Sequence, residues 1–232
     1  MIDEIESKYK YKFPKLFKTL WNDGMLDWMN GRTTPFVANE SWRTSIYPQI
    51  KEHPPILLHT GGFDFEMLGK DEILNFKFDE FWDMERHHFI PFAKTEDGDI
   101  FALYKNLKID GECAVVCIWN DMNETEVLAK SFEDFIFRKM LEAIYDVDKV
   151  ELEAHYQENG FEDYRRDILL DLKSIRPYLN EAYVSKLEEI YHRKLIESDI
   201  SYTLLAHDEL CKCIKEYLDF DELDSVFEHE VD

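Results

Sequence analysis

The chain is short of three things: residues that break helices in its second half, cysteine, and positive charge. None of its eight glycines lies after Gly160, six of its seven prolines precede Phe92, and Pro177 alone follows Gly160. This scarcity predicts a mixed α/β region followed by an all-helical one, with the change between residues 145 and 160. The four cysteines, Cys113, Cys117, Cys211 and Cys213, form no CxxC and no disulfide framework. A chain of 232 residues buries about 70% of its unfolded surface and needs no covalent staples. Reduced thiols and a cytoplasmic location are therefore expected. Long apolar runs are also missing. The longest, Ala114 to Trp119, falls far short of the roughly 20 residues that cross a bilayer. Residues 1–15 alternate charge with aromatics and lack the apolar stretch of a signal peptide.

The shortage of positive charge has the widest consequences. There are 27 Lys and Arg against 50 Asp and Glu, a formal net charge of −23. Residues 1–144 carry −9 and residues 145–232 carry −14, so the shorter part is the more acidic. Such a surface repels nucleic acid and anionic membrane. It suits solubility, or steering toward a basic protein partner. Aromatics, by contrast, are plentiful, with 17 Phe, 12 Tyr and 5 Trp, which argues against a disordered chain.

Helical spacing of Ile2, Ile5, Glu6 and Tyr9 predicts a helix over 2–9. A second is predicted after Pro14, carrying Leu16, Phe17 and Leu20 and ending near Asp23-Gly24. Residues 32–55 hold four prolines and read as irregular, with at most one short helix. A short strand is predicted over 56–59, turned by Gly61-Gly62 into 63–68. Strands over 88–93 and 100–104 flank Asp97-Gly98, which supplies the positive φ of a tight connection. Residues 114–119 are apolar on both faces and belong at the centre of the sheet. Ser131 caps the next helix, whose buried stripe is Phe132, Phe135, Ile136, Met140 and Ile144. Further helices are predicted from an Asp148–Glu151 capping start to Asn159-Gly160, and over 161–175, 180–197 and 199–218. Residues 219–232 hold seven acidic residues and no basic one, and read as a frayed tail.

No pattern points to catalysis. A Gly-rich phosphate loop, GxSxG and HExxH are all missing. His87 and His88 are adjacent, so a strand would point them to opposite faces. His207 and Cys211 stand at i, i+4 on a helix, but no second pair completes a zinc set, and no metal or cofactor is expected. Asp97 and Asp99 flank a glycine turn, where Asp is common for conformational reasons. Cys113 and Cys117 share one face of a buried strand and read as inert packing. Trp21, Trp28, Trp42 and Trp82 read as core side chains.

The order within residues 89–137 is more specific. An apolar strand ends in Phe92-Ala93, and a Gly-Asp turn leads to a second strand. The buried strand Ala114 to Trp119 then runs into Asn120-Asp121, and a helix starts at Ser131-Phe132. This order resembles the signature of the SUKH superfamily, α+β domains that include fungal cell-wall-assembly regulators and bacterial toxin-immunity proteins. The opening pattern of residues 2–24 is compatible with it. Trp119-Asn120-Asp121 departs from the family tendency toward an aromatic-x-His-Asp ending. The resemblance implies a fold with a largely antiparallel or mixed sheet flanked by helices, and no shared catalytic motif. The chain is accordingly expected to hold a SUKH-like α+β domain over 1–144, a helical extension over 145–218 and the acidic tail over 219–232. It is expected not to be an enzyme but an immunity protein neutralising a basic, nuclease-type toxin, with no nucleic acid or membrane partner. A scaffold or regulatory adaptor, and an enzyme with an unrecognised site, are the alternatives. The expected partner-binding residues are Asp97, Asp99, Glu112 and Asp121, with acidic helix faces after Asp148.

Overall fold

The structure, a computed structural model, describes residues 2–28, 46–62, 64–156 and 160–231. Trp42, Asn159 and much of the irregular stretch expected over 32–55 lie outside the described residues. The chain opens with α1 (Ile2–Tyr9), α2 (Lys15–Asn22), α3 (Tyr47–Ile50), β1 (Glu66–Met67) and α4 (Lys70–Asn75). A run of strands follows: β2 (Phe89–Lys94), β3 (Ile100–Ile109), β4 (Glu112–Ile118) and β5 (Thr125–Ala129). Then come α5 (Phe132–Glu142), β6 (Val147–Asp148), α6 (Lys149–His155), α7 (Phe161–Ile175) and α8 (Glu181–Tyr191). The chain closes with β7 (Ile196–Glu197), β8 (Ser201–Thr203), α9 (His207–Leu218) and β9 (Val226–Phe227). It divides into two compact units. One comprises Met1–Phe36, Asp64–Phe135 and Phe220–Asp232, the other Val37–Phe63 and Ile136–Asp219.

The first unit is built on a six-stranded antiparallel sheet of order β1-β2-β3-β4-β5-β9. β2 and β3 pair from Phe89↔Tyr104 to Lys94↔Ile100, as the Asp-Gly turn predicts. β4 lies between β3 and β5, as its two apolar faces require. Alternation sorts those faces. Ala114, Val116 and Ile118 join Phe89, Ile100, Ala102 and Val127 in one cluster, covered by Phe76, Phe78, Trp82, Phe220 and Phe227. On the opposite side, Phe135 packs edge-on against Phe92 at 5.3 Å and tilts onto Phe101 at 5.6 Å, and Phe132 meets Phe17 at 4.9 Å. Such aromatic pairs gain from edge-to-face geometry beyond their buried area.

The helical entry is held by one carboxylate. Glu6 of α1 is buried, and it accepts from Lys12 Nζ at 2.5 Å, Lys18 Nζ at 2.7 Å and the Phe13 amide at 3.0 Å. Burial alone would raise its pKa, but these donors more than offset it and hold it at about 2. Pro14 is the N-cap of α2, with no N–H of its own to leave unpaired.

In the second unit the capping signals hold. The Asp148 carboxylate accepts from the Val150 and Glu151 amides, and Asn180 accepts from the Tyr183 amide. Phe137 stacks on Tyr183 at 4.0 Å, and the Tyr191 hydroxyl donates to the Met140 carbonyl at 2.8 Å.

Three expectations change. The strand predicted over 56–59 is a turn. Asp171 Oδ2 accepts the His59 and Thr60 amides and the Thr60 hydroxyl, each at 2.9 Å, so those amides are not free for a ladder. The C-terminal extension is mainly helical but not entirely so, because β6, β8 and β7 form a three-stranded sheet. The helix predicted over 180–197 stops at Tyr191, and the one over 199–218 starts at His207. Ser198 and Ser201 hydrogen-bond each other across a turn at 3.0 Å, and the Thr203 hydroxyl donates to the Ile144 carbonyl, side-chain bonds that compete with helix. Finally, residues 219–231 are not frayed. β9 pairs with β5 at Thr125↔Phe227 and Glu126↔Val226, and His229 is only 1% exposed.

Candidate partner-binding surface

The turn between β2 and β3 is set by backbone chemistry. Gly98 has φ +97°, and its amide donates to the Thr95 carbonyl at 3.2 Å. The Asp99 amide donates to Thr95 Oγ1 at 3.0 Å. A methyl group at Gly98 would lie 3.1 Å from Asn120 Cγ, so glycine suits both the φ and the neighbour. Asn120 then ties two turns together. Its amide donates to Asp99 Oδ1 at 2.9 Å and its side chain to the Asp97 carbonyl at 3.2 Å.

Asp97, Asp99 and Asp121 are thereby brought to one end of the sheet. Asp97 and Asp121 are exposed, and Asp99 is half-buried by its bond to Asn120. Glu112 is not with them. It opens β4 at the other end, opposite Ile109, separated by about 20 Å of strand. Burial raises its pKa, and Asp134 and Glu133 add to that.

The C-terminal residues complete this end of the sheet. Asn123 Oδ1 accepts the His229 amide at 2.9 Å and the Glu230 amide at 2.8 Å. The Val231 amide donates to the Phe81 carbonyl at 2.8 Å. Three apolar side chains are exposed along this path: Phe81 at 66%, Val231 at 62% and Met122 at 46%. Acidic Glu124 and Glu230 are exposed beside them. This end of the sheet thus exposes both apolar and acidic side chains. The structure brings three of the four expected aspartate and glutamate positions, Asp97, Asp99 and Asp121, to one end of the sheet, and adds Asn120, Asn123, Phe81 and Val231, which the sequence did not single out for it. The departure at Asn120 from the family ending was the one available signal. Nothing in an acidic C-terminus announced the others.

Two buried histidines hold the tail beneath this surface. His87 Nδ1 lies 2.8 Å from the Tyr104 hydroxyl, and His229 Nδ1 lies 3.0 Å from Thr125 Oγ1. Phe227 stacks on Tyr104 at 4.8 Å and on His87 at 5.1 Å. Burial lowers both histidine pKa values. Arg86 and His88 also lower that of His87, against Asp83 and the Glu228 carbonyl. For His229, Glu230 and the Glu124 carbonyl oppose burial, and His87 reinforces it.

The fold and this surface stand in a family context. Residues 1–138 match the model of the SMI1 / KNR4 family (SUKH-1). The chain belongs to that family. No curated protein and no solved structure matches it. The SUKH match ends within α5, so most of the second unit lies beyond it.

The remaining candidates can now be placed. Cys113, Cys117 and Cys213 are buried and in no disulfide, and burial pushes the Cys113 and Cys213 pKa values up. His207 Nε2 and Cys211 Sγ meet at 3.6 Å, as their spacing predicts. Among the described residues, no three or more His, Cys, Asp or Glu side chains converge as metal ligands. Trp28 is buried, while Trp21 and Trp82 are half-buried. No helix among the described residues is long and apolar enough to cross a membrane.

Proposed function

We propose that the chain is a non-catalytic binding module, an immunity protein that covers the active surface of a basic, nuclease-type toxin in the cytoplasm. SUKH domains are generally binding modules, and the family includes toxin-immunity proteins. The observation that carries the reading is that one end of the sheet carries the exposed carboxylates of Asp97 and Asp121 and the exposed apolar side chains of Met122, Phe81 and Val231. Apolar side chains at the centre of an interface supply affinity, and a charged rim supplies steering and selectivity. A net charge of −23 raises the encounter rate with a cationic protein. Glu112 belongs to a different part of the domain and is not part of this interface. A scaffold role uses the same surface but does not require an enzyme as partner.

The test is capture on the immobilised full chain from the native host, followed by assay of the captured protein. The expected partner is a basic protein that degrades nucleic acid and loses that activity when one equivalent of this chain is added. A captured partner that is acidic, or that keeps its activity in the complex, contradicts the immunity reading.

A further inference from the structure

Among the described residues, seven large hydrophobic side chains are exposed, and the two most exposed belong to the second unit. They are Val150 at 77% and Ile200 at 74%. The backbone segments that carry them meet from 50 positions apart, because the Lys149 amide donates to the Ile200 carbonyl at 3.0 Å. Hydrogen bonds hold the backbone at each. Val150 stands in the first turn of α6, where its amide is bound by Asp148 at 2.7 Å. Ile200 stands in the β7–β8 turn, which is closed by the Ser198 amide donating to the Ser201 carbonyl at 2.9 Å. An isolated exposed aliphatic residue is ordinary, but two carried on neighbouring, hydrogen-bonded segments offer a contact surface.

The charge around them says what fits. Residues 146–153 and 194–200 contain six carboxylates and two lysines. One of those lysines is already engaged, since Lys149 Nζ lies 2.7 Å from Glu197 Oε1 and 2.6 Å from the Ser198 carbonyl. Asp146, Asp148, Glu151 and Asp199 are exposed about the patch. A second copy of the chain would set these carboxylates against their like and is disfavoured. An anionic membrane is disfavoured for the same reason.

We infer that the Val150–Ile200 patch is a docking surface for a protein segment that carries Lys or Arg around one or two aliphatic side chains. The inference rests on the reading of the chain as a module for a basic protein. It adds a second contact outside the SUKH match, which gives the extension a share in partner choice.

The test is selection from a random peptide library displayed on phage, using the immobilised full chain as bait. Selected peptides should mix Lys or Arg with Ile, Leu, Val or Phe. By fluorescence anisotropy, their affinity should fall about tenfold or more in the Val150→Ser/Ile200→Ser variant. Both side chains are exposed, so the variant should keep its circular dichroism and melting temperature. Glu151→Gln/Asp199→Asn should weaken binding further at low salt than at high salt. Peptides insensitive to Val150→Ser/Ile200→Ser overturn the inference. If they respond to Phe81→Ser/Met122→Ser instead, the inference fails while the proposed function stands. Selection of acidic or uncharged peptides overturns both. Dimerisation of the chain that V150S/I200S abolishes overturns the inference in favour of self-association.

Discussion

A chain ending at residue 218 is expected to melt at least about 10 °C below the full chain, or to fail to fold. The lost segment supplies the edge strand β9 and the ladder Thr125↔Phe227 and Glu126↔Val226. It also supplies two bonds with Val127, the Ser225 carbonyl accepting and the Asp224 amide donating, each at 2.9 Å. Phe220 and Phe227 cover the cluster of Val116, Ile118 and Val127, which are each at most 2% exposed in the intact protein. Removing one large core aromatic costs about 3–5 kcal/mol. Whole domains hold only about 5–15 kcal/mol. Thermal unfolding followed by circular dichroism is the measurement. Where the truncated chain is insoluble, Phe227→Ala is the milder substitute and should still lower the midpoint by several degrees. A truncated chain melting within about 2 °C of the full one would show the segment to be idle.

The same anchor should fail in acid. His87 and His229 have depressed pKa values in the folded state, so the unfolded chain binds more protons than the folded one near and below pH 6.5. Stability therefore falls as pH drops below the ordinary histidine value, and it is recovered above it. The slope approaches about 1.4 kcal/mol per pH unit for each histidine until the folded-state pKa is reached. Carboxylates such as Glu6, held at about 2, add their own loss below about pH 4.5, so the window of interest lies between the two ranges. Melting temperatures from pH 8 to pH 5 should fall for the natural chain. In His87→Gln/His229→Gln the starting stability should be lower and the pH dependence flatter over that window. Equal slopes in the two proteins would show that the histidines are not the groups responsible.

The sequence was legible where one local cause decides a structure. The Asp97-Gly98 turn, the two-faced strand at 114–119, the Ser131 and Asp148 caps and the Pro177 stop all depend on neighbours in sequence. The Ser131 hydroxyl does accept the Asp134 amide, at 3.2 Å. The failures share a different cause. Residues 56–59 look like a strand until Asp171, more than a hundred residues away, takes the amides of His59 and Thr60. Residues 226–230 look like a solvated acidic tail, because Val226, Phe227 and His229 are too few to show a period. Their place is fixed by Thr125, Asn123 and Tyr104 across the sheet. The candidate surface was half legible for the same reason. Asp97, Asp99 and Asp121 flag their own turns, whereas the turns' junction through Asn120 and the addition of Phe81 and Val231 are tertiary. Glu112 was grouped with them on charge alone, and strand direction carries it to the other end.

We propose that the acidic and apolar side chains exposed at this end of the SUKH sheet engage a basic protein. Surface-plasmon kinetics of the captured partner on the full chain and on Asp97→Asn/Asp121→Asn, over a salt series, test it most directly. Exposed charges are screened over about 8 Å at physiological salt. The association rate on the natural chain should therefore fall steeply as salt rises, while dissociation changes little. The double variant should associate more slowly at low salt and converge on the natural chain at high salt. Association that is indifferent both to salt and to these two carboxylates would contradict the claim.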